Sequence, residues 1–496
     1  MGEISLKNVS FQYNGSEEAS LENINLDILK GQTIVLCGES GCGKSTVIRL
    51  VNGLIPFYYK GEMQGQVTVG GHHVEQGNIY DLGSKVSTVF QNPRSQFYCV
   101  EVKSELAFGA ENLNIPKEEI LSRIHKVAHG LGIEKLLDRT MFQLSGGEKQ
   151  KIACASVSVM NNPIIVLDEP SSNLDMKAIE ELREMIMLWK SQGKTIVIAE
   201  HRLNYLKGIA DKYVYMKKGE IAEEFSRETF ESFSTGQLNQ MGLRPVSYDQ
   251  LEIENSQPLK GSIKLKDFSF KYRRAKIPSL LIKDLTLPKN AVIAVIGENG
   301  AGKSTFIRNF CGLEKRGKGV LEDGQETLKS KNRLNNSFMV MQDVNHQLFT
   351  ESVLDEIALS APDLQKEQME NLLKSFDLEE LKDRHPMSLS GGQKQRVAVA
   401  SAIASNRDFI AFDEPTSGLD FKHMKQVAKY ITALEDLDKT VFLITHDLEL
   451  IYSCCNYVLH LEKGQVKELY SLKDETSGKL KDFFRIDHHK KLPVEA

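Results

Sequence analysis

The stretch GESGCGKST occupies residues 38–46, and a close copy, GENGAGKST, occupies residues 297–305. Both copies match the pattern G-x-x-x-x-G-K-[ST] of phosphate-binding loops. Each copy follows a short apolar run and precedes apolar residues at helical spacing, which predicts a strand, a loop and a helix in that order. In such a unit the glycines let backbone N–H groups surround a polyphosphate, and the helix N-terminus faces the same anion. The sequence therefore predicts two sites for a nucleoside triphosphate.

All nine residues of each loop are predicted to bind the nucleotide. They are Gly38, Glu39, Ser40, Gly41, Cys42, Gly43, Lys44, Ser45 and Thr46 in the first copy, and Gly297, Glu298, Asn299, Gly300, Ala301, Gly302, Lys303, Ser304 and Thr305 in the second. The two lysines would place a positive charge on the β- and γ-phosphates, and the serine after each lysine would give its hydroxyl to Mg²⁺. A magnesium–nucleotide complex is therefore the expected ligand of both loops.

The chain as a whole is a duplication. Lys44 and Lys303 lie 259 positions apart, and the later motifs match at a constant separation of 245. A repeat of this length indicates duplicated domains, because solenoid repeats have periods of about 20–50 residues. In both halves strands alternate with helices, which predicts α/β layers around a largely parallel sheet. The predicted parts are a first domain at 1–235, a linker at 236–262, a second domain at 263–470 and a C-terminal tail at 471–496.

Composition describes an ordinary globular chain of 496 residues with a net charge of −5, so no overall basic field points to nucleic acid. No apolar run is long enough to cross a bilayer, and we expect neither a signal peptide nor a covalent membrane anchor, since Leu6 stands where myristoylation favours Ser or Thr. The seven cysteines form no CxxC pair and are predicted to be reduced, which indicates a cytoplasmic protein. The pair His488 and His489 could bind a metal, but a solvated tail is the favoured interpretation.

Two apolar strands, IIVLDEP and FIAFDEP, end in an Asp-Glu pair. The first carboxylate, Asp168 or Asp413, is predicted to hold the Mg²⁺ shell. The second, Glu169 or Glu414, is predicted to orient and deprotonate the attacking water. A purely structural cap at the strand end is the competing interpretation.

The sequences LSGGEKQK at residues 144–151 and LSGGQKQR at 389–396 resemble the signature of ATP-binding-cassette (ABC) ATPases. The resemblance covers nearly the whole chain and implies two tandem P-loop ABC nucleotide-binding domains, each with a mixed sheet core and a helical subdomain. In that family each signature faces the γ-phosphate of the other domain, so that two ATP molecules lie between two head-to-tail domains. The implied signature residues are Ser145, Gly146, Gly147, Glu148, Ser390, Gly391, Gly392 and Gln393.

The same resemblance assigns further residues. Gln91 and Gln342 match the Q-loop glutamines, which sense the metal and the water; Asp175 and Asp420 match the D-loop; His201 and His446 match the switch histidine that contacts the γ-phosphate. Tyr13 and Tyr272 match the aromatic residue that stacks on adenine, although a buried sheet tyrosine is an alternative for each. The implied magnesium set is Ser45, Gln91 and Asp168 in the first half, and Ser304, Gln342 and Asp413 in the second.

The family geometry implies that neither site is complete within its own half. Lys44 would meet Ser390 from the other half, and Lys303 would meet Ser145. Both sites hold every core residue, so both are predicted to hydrolyse ATP. The one departure is Glu148, where the pattern has Gln; its charge could weaken the second site by repulsion, or its side chain could turn away with little effect.

Within the family, the chain is similar to the fused ATPases of energy-coupling-factor (ECF) transporters. The segments VFQNPRSQF, VMQDVNHQLFTESVLDEI and IAEHRLNYL carry this resemblance. It implies an ATP hydrolase on the cytoplasmic face of the cell membrane that powers uptake of a vitamin, a vitamin precursor or a transition-metal ion. The implied partners are a transmembrane coupling protein and a separate membrane substrate-binding protein, with no nucleic acid. The alternative is a soluble tandem ABC ATPase that acts on ribosomes or nucleic acid.

Overall fold

The computed structural model describes residues 2–172, 174–255, 261–273, 275, 277–361 and 364–485. It divides into two compact units, with the boundary between Gln250 and Leu251. Each unit contains one phosphate-binding loop and has the predicted α/β class, with mixed sheets and helices.

The first unit contains ten strands and nine helices among its described residues. The strands are β1 Ile4–Tyr13, β2 Leu21–Ile28, β3 Thr33–Cys37, β4 Gly61–Val69, β5 His72–His73, β6 Val86–Val89, β7 Ile164–Asp168, β8 Thr195–Ala199, β9 Lys212–Lys217 and β10 Glu220–Ser226. The helices are α1 Lys44–Val51, α2 Leu54–Phe57, α3 Ile79–Gly83, α4 Val102–Asn112, α5 Lys117–Gly130, α6 Gly146–Met160, α7 Met176–Ser191, α8 Arg227–Glu231 and α9 Thr235–Gln240.

The second unit has the same strand order. Its strands are β11 Ser262–Phe270, β12 Leu280–Pro288, β13 Val292–Ile296, β14 Lys318–Asp323, β15 Glu326–Leu328, β16 Ser337–Val340, β17 Phe409–Asp413, β18 Thr440–Ile444, β19 Tyr457–Glu462 and β20 Gln465–Ser471. Its helices are α10 Lys303–Phe310, α11 Ser330–Asn335, α12 Val353–Ser360, α13 Lys366–Ser375, α14 Gly391–Ala404, α15 Phe421–Asp436, α16 Leu448–Cys454 and α17 Asp474–Phe483. Among the described residues, these helices differ from those of the first unit at three places: α2 has no counterpart, α16 is added, and one helix instead of two follows the last strand.

Each unit combines a four-stranded antiparallel sheet with a six-stranded, mostly parallel sheet. In the first unit the orders are β2-β1-β4-β5 and β10-β9-β3-β8-β7-β6, and only β10 runs antiparallel in the larger sheet. The second unit has the equivalent orders β12-β11-β14-β15 and β16-β17-β18-β13-β19-β20. Strands β3, β7 and β8 run parallel to one another, so their carboxyl ends, which carry the predicted site residues, meet at one edge of the sheet.

Burial explains why these runs form central strands. All five residues of β3 and of β8 are buried, as expected for parallel strands covered on both faces. Alternate residues of β3 enter different cores: Val35 packs with helix α7, whereas Ile34 packs with helix α1 and the antiparallel sheet. A separate apolar cluster joins α4, α5 and α6, which corresponds to the predicted helical subdomain.

The boundary region differs from the predicted linker. Leu238, Leu243 and Val246, which lie in the predicted linker 236–262, are buried in the core of the first unit. Asn255 is buried against the second unit, where its amide donates to Glu435 Oε2 at 2.8 Å and to the Cys454 carbonyl at 2.9 Å. Most of the described part of this segment is therefore packed on one unit or the other, because its apolar side chains have cores to join.

The described part of the predicted tail also belongs to the second unit. Helix α17 follows strand β20, and Leu472, Leu480 and Phe484 are buried. The histidine pair at 488 and 489 lies outside the described residues. None of the helices in the described ranges is long and apolar enough to cross a membrane.

Candidate nucleotide-binding and hydrolysis sites

Each phosphate-binding loop connects an interior strand of the larger sheet to a helix. The loop after β3 passes so close to the neighbouring strand β9 that a Cβ atom on Gly38 would lie 2.3 Å from the Met216 carbonyl oxygen. In the second unit a Cβ atom on Gly297 would lie 2.3 Å from the Leu461 carbonyl oxygen. Both glycines have a φ near +150°, which side chains rarely allow. Glycine is therefore required at the first position of both loops.

The loop lysines are buried at the centre of their loops. Lys44 Nζ donates to the carbonyl oxygens of Gly38 at 2.9 Å and Glu39 at 3.0 Å. Lys303 Nζ makes the equivalent bonds to Gly297 at 2.7 Å and Glu298 at 3.1 Å. Each ammonium group is thus held inside the turn that the loop forms, the place expected of a phosphate-binding lysine.

The serine after each lysine lies beside the aspartate that ends a neighbouring strand. Ser45 Oγ donates to Asp168 Oδ1 at 2.8 Å, although 123 residues separate the two in sequence. Burial raises the pKa of Asp168, and the hydrogen bond from Ser45 opposes that rise. In the second unit burial likewise raises the pKa of Asp413, against a hydrogen bond from Ser304.

These residues fit Mg²⁺. The ion prefers oxygen ligands and is usually held through one or two carboxylates, with phosphate oxygens and water completing its shell. Each unit offers one hydroxyl and one carboxylate side by side next to the phosphate-binding loop. Ser45 with Asp168, and Ser304 with Asp413, would hold the metal that accompanies the nucleotide.

The glutamates that follow these aspartates adopt an unusual backbone conformation. Glu169 has a φ of 44° and Glu414 has a φ of 54°, the left-handed region that non-glycine residues avoid. A hydrogen bond from each backbone N–H to the end of the adjacent strand, to the Ala199 carbonyl at 2.8 Å and the Ile444 carbonyl at 2.9 Å, maintains this geometry. Such strain costs about 1–3 kcal/mol and is concentrated at functional sites.

In the first unit Glu169 brings together the Q-loop glutamine and the switch histidine. Gln91 Nε2 donates to Glu169 Oε2 at 2.6 Å. His201 Nε2 lies 3.3 Å from Glu169 Oε1, close enough for an ion pair but without the angles of a hydrogen bond. The structure therefore places two residues that are far apart in sequence, Gln91 and His201, around the carboxylate of Glu169.

The second unit assembles a similar but looser group. His446 Nε2 lies 3.6 Å from Glu414 Oε1, and the His446 backbone N–H donates to Glu414 Oε2 at 3.3 Å. Gln342 is exposed and makes no hydrogen bond to Glu414 in the described part of the chain. The two units thus share the glutamate–histidine pair and differ in the position of the glutamine.

The signature residues begin long helices. Ser145 and Ser390 are the N-caps of α6 and α14, and each serine hydroxyl accepts the N–H three residues later at 3.3 Å. The side chain at that later position, Glu148 or Gln393, accepts the serine N–H at 2.8 Å or 2.9 Å. Both signatures are therefore capping boxes at the N-terminus of a helix, the end that carries the positive pole of the helix dipole.

The charge of Glu148, the one departure from the family pattern, is engaged within its own unit. Besides the capping hydrogen bond, Glu148 Oε1 lies 3.3 Å from Arg139 Nη1. A carboxylate in the first turn of a helix is favourable, and the nearby guanidinium reduces its field further. The charge of Glu148 is thus partly compensated within its own unit, and its effect on the nucleotide stays a prediction.

The D-loop aspartates also serve as caps. Asp175 Oδ1 accepts the Ala178 N–H at 2.9 Å at the start of α7, and Asp420 Oδ1 accepts the His423 N–H at 2.9 Å at the start of α15. Both aspartates are buried. Their local role is to start the helix that follows the catalytic strand, and any role across the two units stays a prediction.

The two predicted adenine-stacking tyrosines lie beside the phosphate-binding loops but differ in their surroundings. The hydroxyl of Tyr13 lies 3.2 Å from Thr46 Oγ1, and that of Tyr272 lies 3.2 Å from Thr305 Oγ1. Arg49 also donates to the Tyr13 hydroxyl at 2.8 Å, a contact that the sequence analysis did not anticipate. Tyr13 is half-buried, whereas Tyr272 is 47% exposed.

Within each unit, the loop lysine and serine, the two strand-end carboxylates and the switch histidine are thus assembled on neighbouring strand ends. The signature belongs to the helical layer of the same unit. The predicted pairing of Lys44 with Ser390, and of Lys303 with Ser145, joins different units and stays a prediction.

Comparison with known proteins matches residues 21–172 and 282–417 to the family described as "ABC transporter". Two similar proteins, both from Treponema denticola, bear the name "Putative ABC transporter ATP-binding protein". One is 46% identical over 94% of this chain and 97% of its own length, and the other is 39% identical over 95% and 97%.

Among solved structures, a model of ribosome-bound archaeal Pelota and ABCE1 is similar to this chain with a TM-score of 0.70 and 19% sequence identity. The likeness covers 96% of this chain and 80% of that one. At this identity the likeness concerns the fold alone.

Proposed function

Because the chain belongs to the ABC transporter family of ATPases, we propose that it powers an ECF-type importer as a peripheral subunit on the cytoplasmic face of the membrane. Its substrate class would be a vitamin, a vitamin precursor or a transition-metal ion, carried by separate membrane proteins. The ATP sites would be composite, with Lys44 opposite Ser390 and Lys303 opposite Ser145. Their closure would drive a transmembrane coupling protein.

The observation that carries this proposal is a pair of exposed apolar residues at matching positions of each unit, one seven residues after the Q-loop glutamine and one three residues before the signature serine; we call each pair a platform. The first platform consists of Tyr98 and Phe142, which are 76% and 83% exposed. The second consists of Phe349 and Met387, which are 73% and 48% exposed. Large apolar side chains exposed at matching positions of two domains indicate a partner surface.

A buried carboxylate holds each platform in place. Glu105 Oε2 accepts the backbone N–H groups of Tyr98 at 2.9 Å and Cys99 at 2.7 Å. In the second unit Glu356 Oε2 accepts those of Phe349 at 3.0 Å and Thr350 at 3.1 Å. Burying a carboxylate costs free energy unless the carboxylate is hydrogen-bonded. The charge-assisted bonds to these backbone N–H groups offset that cost and hold both loops in one conformation.

The platforms are also tied to the segment just before the signature. The Met141 N–H donates to the Val100 carbonyl at 2.8 Å, and the Val353 N–H donates to the Arg384 carbonyl at 3.1 Å. Phe142 and Met387 follow these segments and precede the signature serines by three residues. A helix of a membrane partner that docks on the platform would therefore contact both the Q-loop region and the approach to the signature.

The chemistry follows from the site. Glu169 would orient the attacking water and accept its proton, Lys44 would stabilise the phosphate charge, and His201 would contact the γ-phosphate. Mg²⁺, held through Ser45 and Asp168, would neutralise charge on the phosphates. Because each γ-phosphate would be held by both units, ATP would favour closure and hydrolysis would release it, which couples the nucleotide to the membrane partner.

The proposal is tested with membrane proteins that co-purify with the chain, reconstituted in liposomes. We expect ATP hydrolysis to be stimulated by the transported substrate and by the coupling protein. Phe142→Glu should abolish the stimulation, whereas Leu29→Glu, a change at another exposed apolar residue of the same unit, should preserve it. Stimulation by ribosomes, with none by membrane proteins, would instead support the ribosome-associated alternative and overturn the transport proposal.

A further inference from the structure

The switch histidine of the first unit follows a buried carboxylate. Glu200 stands directly before His201 and accepts four hydrogen bonds. Its Oε1 accepts the backbone N–H groups of His201 at 2.7 Å and Arg202 at 3.1 Å. Its Oε2 accepts the Tyr205 hydroxyl at 2.9 Å and the Ser171 N–H at 3.3 Å. One side chain therefore joins the loop that carries the switch histidine to the loop that follows the catalytic glutamate.

The second unit makes the same connection with a carboxylate on the other side of its histidine. Here Thr445 precedes His446 and Asp447 follows it. Asp447 Oδ2 accepts the Thr416 hydroxyl at 3.0 Å, and Oδ1 accepts the Leu450 N–H at 3.3 Å. The Asp447 N–H in turn donates to Thr445 Oγ1 at 3.1 Å.

The two arrangements correspond position by position. Ser171 and Thr416 are equivalent residues, two positions after Glu169 and Glu414. Glu200 is equivalent to Thr445, and Arg202 is equivalent to Asp447. The carboxylate thus precedes the histidine in the first unit and follows it in the second. In both units it accepts a hydrogen bond from the same position of the loop after the strand-end glutamate.

We propose that Glu200 and Asp447 are positioning residues for hydrolysis. Each would fix its switch histidine relative to the catalytic glutamate of the same unit by linking the two loops that carry them. The inference rests on the proposed hydrolytic role of Glu169 and Glu414, and it does not depend on the transport substrate.

The physical reason lies in how the histidine–glutamate distance is set. The distance from His201 Nε2 to Glu169 Oε1 is 3.3 Å, and the two residues lie on loops after different strands. The bond that links the two loops, from the Ser171 N–H to Glu200 Oε2 at 3.3 Å, is charge-assisted, and the three shorter bonds fix the carboxylate on its own loop. Glu200 therefore resists sliding of one loop past the other. Even a displacement of about 1 Å in a catalytic group can reduce turnover about a hundredfold.

The sequence difference between the units supplies the test. Glu200→Thr in a Glu414→Gln background removes the carboxylate while leaving the first catalytic glutamate as the reporter. We expect kcat to fall about ten- to hundredfold with the KM for ATP nearly unchanged, because the loop lysine and serine are untouched. Adding Arg202→Asp recreates the arrangement of the second unit, with the Ser171 hydroxyl in the place of Thr416, and should restore most of the turnover.

Controls separate positioning from folding. Tyr205→Phe removes one donor and keeps the carboxylate, so its effect should be small; Glu200→Gln keeps the volume and loses the charge, so it should resemble Glu200→Thr. Normal turnover in both Glu200 variants would overturn the proposal. The proposal would also be overturned if the Glu200 variants were partly unfolded at the assay temperature, to an extent that accounts for their lower turnover. It would likewise fail if the double variant Glu200→Thr/Arg202→Asp turned over no faster than Glu200→Thr.

The reciprocal pair tests the second unit. Asp447→Asn in a Glu169→Gln background should lose turnover, and Thr445→Glu with Asp447→Arg should regain it. These measurements use the purified full chain, so they succeed or fail without the membrane partner. A wild-type chain that hydrolyses ATP but is never stimulated by membrane proteins would refute the transport proposal and leave this inference standing, whereas a wild-type chain with no ATPase activity would overturn both.

Discussion

Replacing the proposed catalytic glutamate of one unit at a time measures how far the two sites are equivalent. Glu169→Gln keeps the volume of the side chain but removes the carboxylate that accepts from Gln91 and lies 3.3 Å from His201. Loss of a general base lowers the rate at that site about 10²- to 10⁴-fold, which corresponds to about 3–5 kcal/mol of transition-state stabilisation. The affected site would therefore contribute almost nothing to the steady-state rate.

The effect on the whole chain depends on the other site. Glu414 has the same left-handed backbone and its own histidine at 3.6 Å, so the second site should continue to turn over. If the sites act independently, either single variant retains about half of the wild-type rate, and the double variant falls by the full 10²- to 10⁴-fold.

Phosphate release at saturating Mg²⁺ and ATP provides the assay, with nucleotide binding measured in parallel to show that the sites still fill. The two single variants should agree within about twofold. A difference of tenfold or more between them would refute catalytic equivalence. A double variant that retains the wild-type rate would refute the assignment of both glutamates as general bases.

Three further predictions concern individual contacts. Because burial raises the pKa of Asp168 and Asp413, protons should begin to compete with Mg²⁺ for these carboxylates at a pH above the usual aspartate pKa of about 4. Mg²⁺-dependent nucleotide binding, titrated at decreasing pH, should therefore weaken in that range. The variant with both Asp168→Asn and Asp413→Asn should not show this pH dependence. Glu148→Gln should change the rate of ATP hydrolysis by less than about twofold, since Gln393 forms the same capping box in the second unit. Glu148→Ala removes the capping side chain, and it should lower the free energy of unfolding, measured by denaturant titration, by about 1 kcal/mol. Ser158→Ala removes the acceptor of the buried Trp189 indole N–H, 2.9 Å away, and should lower the free energy of unfolding of the first unit by about 1–3 kcal/mol. Trp189 is the single tryptophan of the chain, so its fluorescence reports the unfolding of this unit. An unchanged unfolding transition would contradict the prediction.

The sequence alone was sufficient for the α/β class, the duplication and the family, because these depend on patterns that act over short distances. A glycine-rich loop with Lys44 at a fixed offset admits few backbone conformations, and Gly38 is required where the loop passes the next strand. The apolar runs that precede the loops are short and uninterrupted, which is typical of strands buried on both faces of a parallel sheet.

The sequence was insufficient where a side chain had a choice of distant partners. Nothing in the motifs predicted that Glu148 would lie beside Arg139, that Arg49 would donate to Tyr13, or that Leu238 would join a core instead of a linker. Each of these outcomes depends on which surfaces the fold brings together.

The catalytic group shows the same division. The sequence supplied Gln91, Glu169 and His201 as separate motif residues, and the tertiary structure placed them together across gaps of up to 78 positions. It also revealed a contact of Glu200, a residue to which the sequence assigned no role: its carboxylate accepts a hydrogen bond from Ser171, 29 positions earlier. Local spacing determines which residues are present at each strand end, whereas the order of the strands in the sheet determines which of those ends become neighbours.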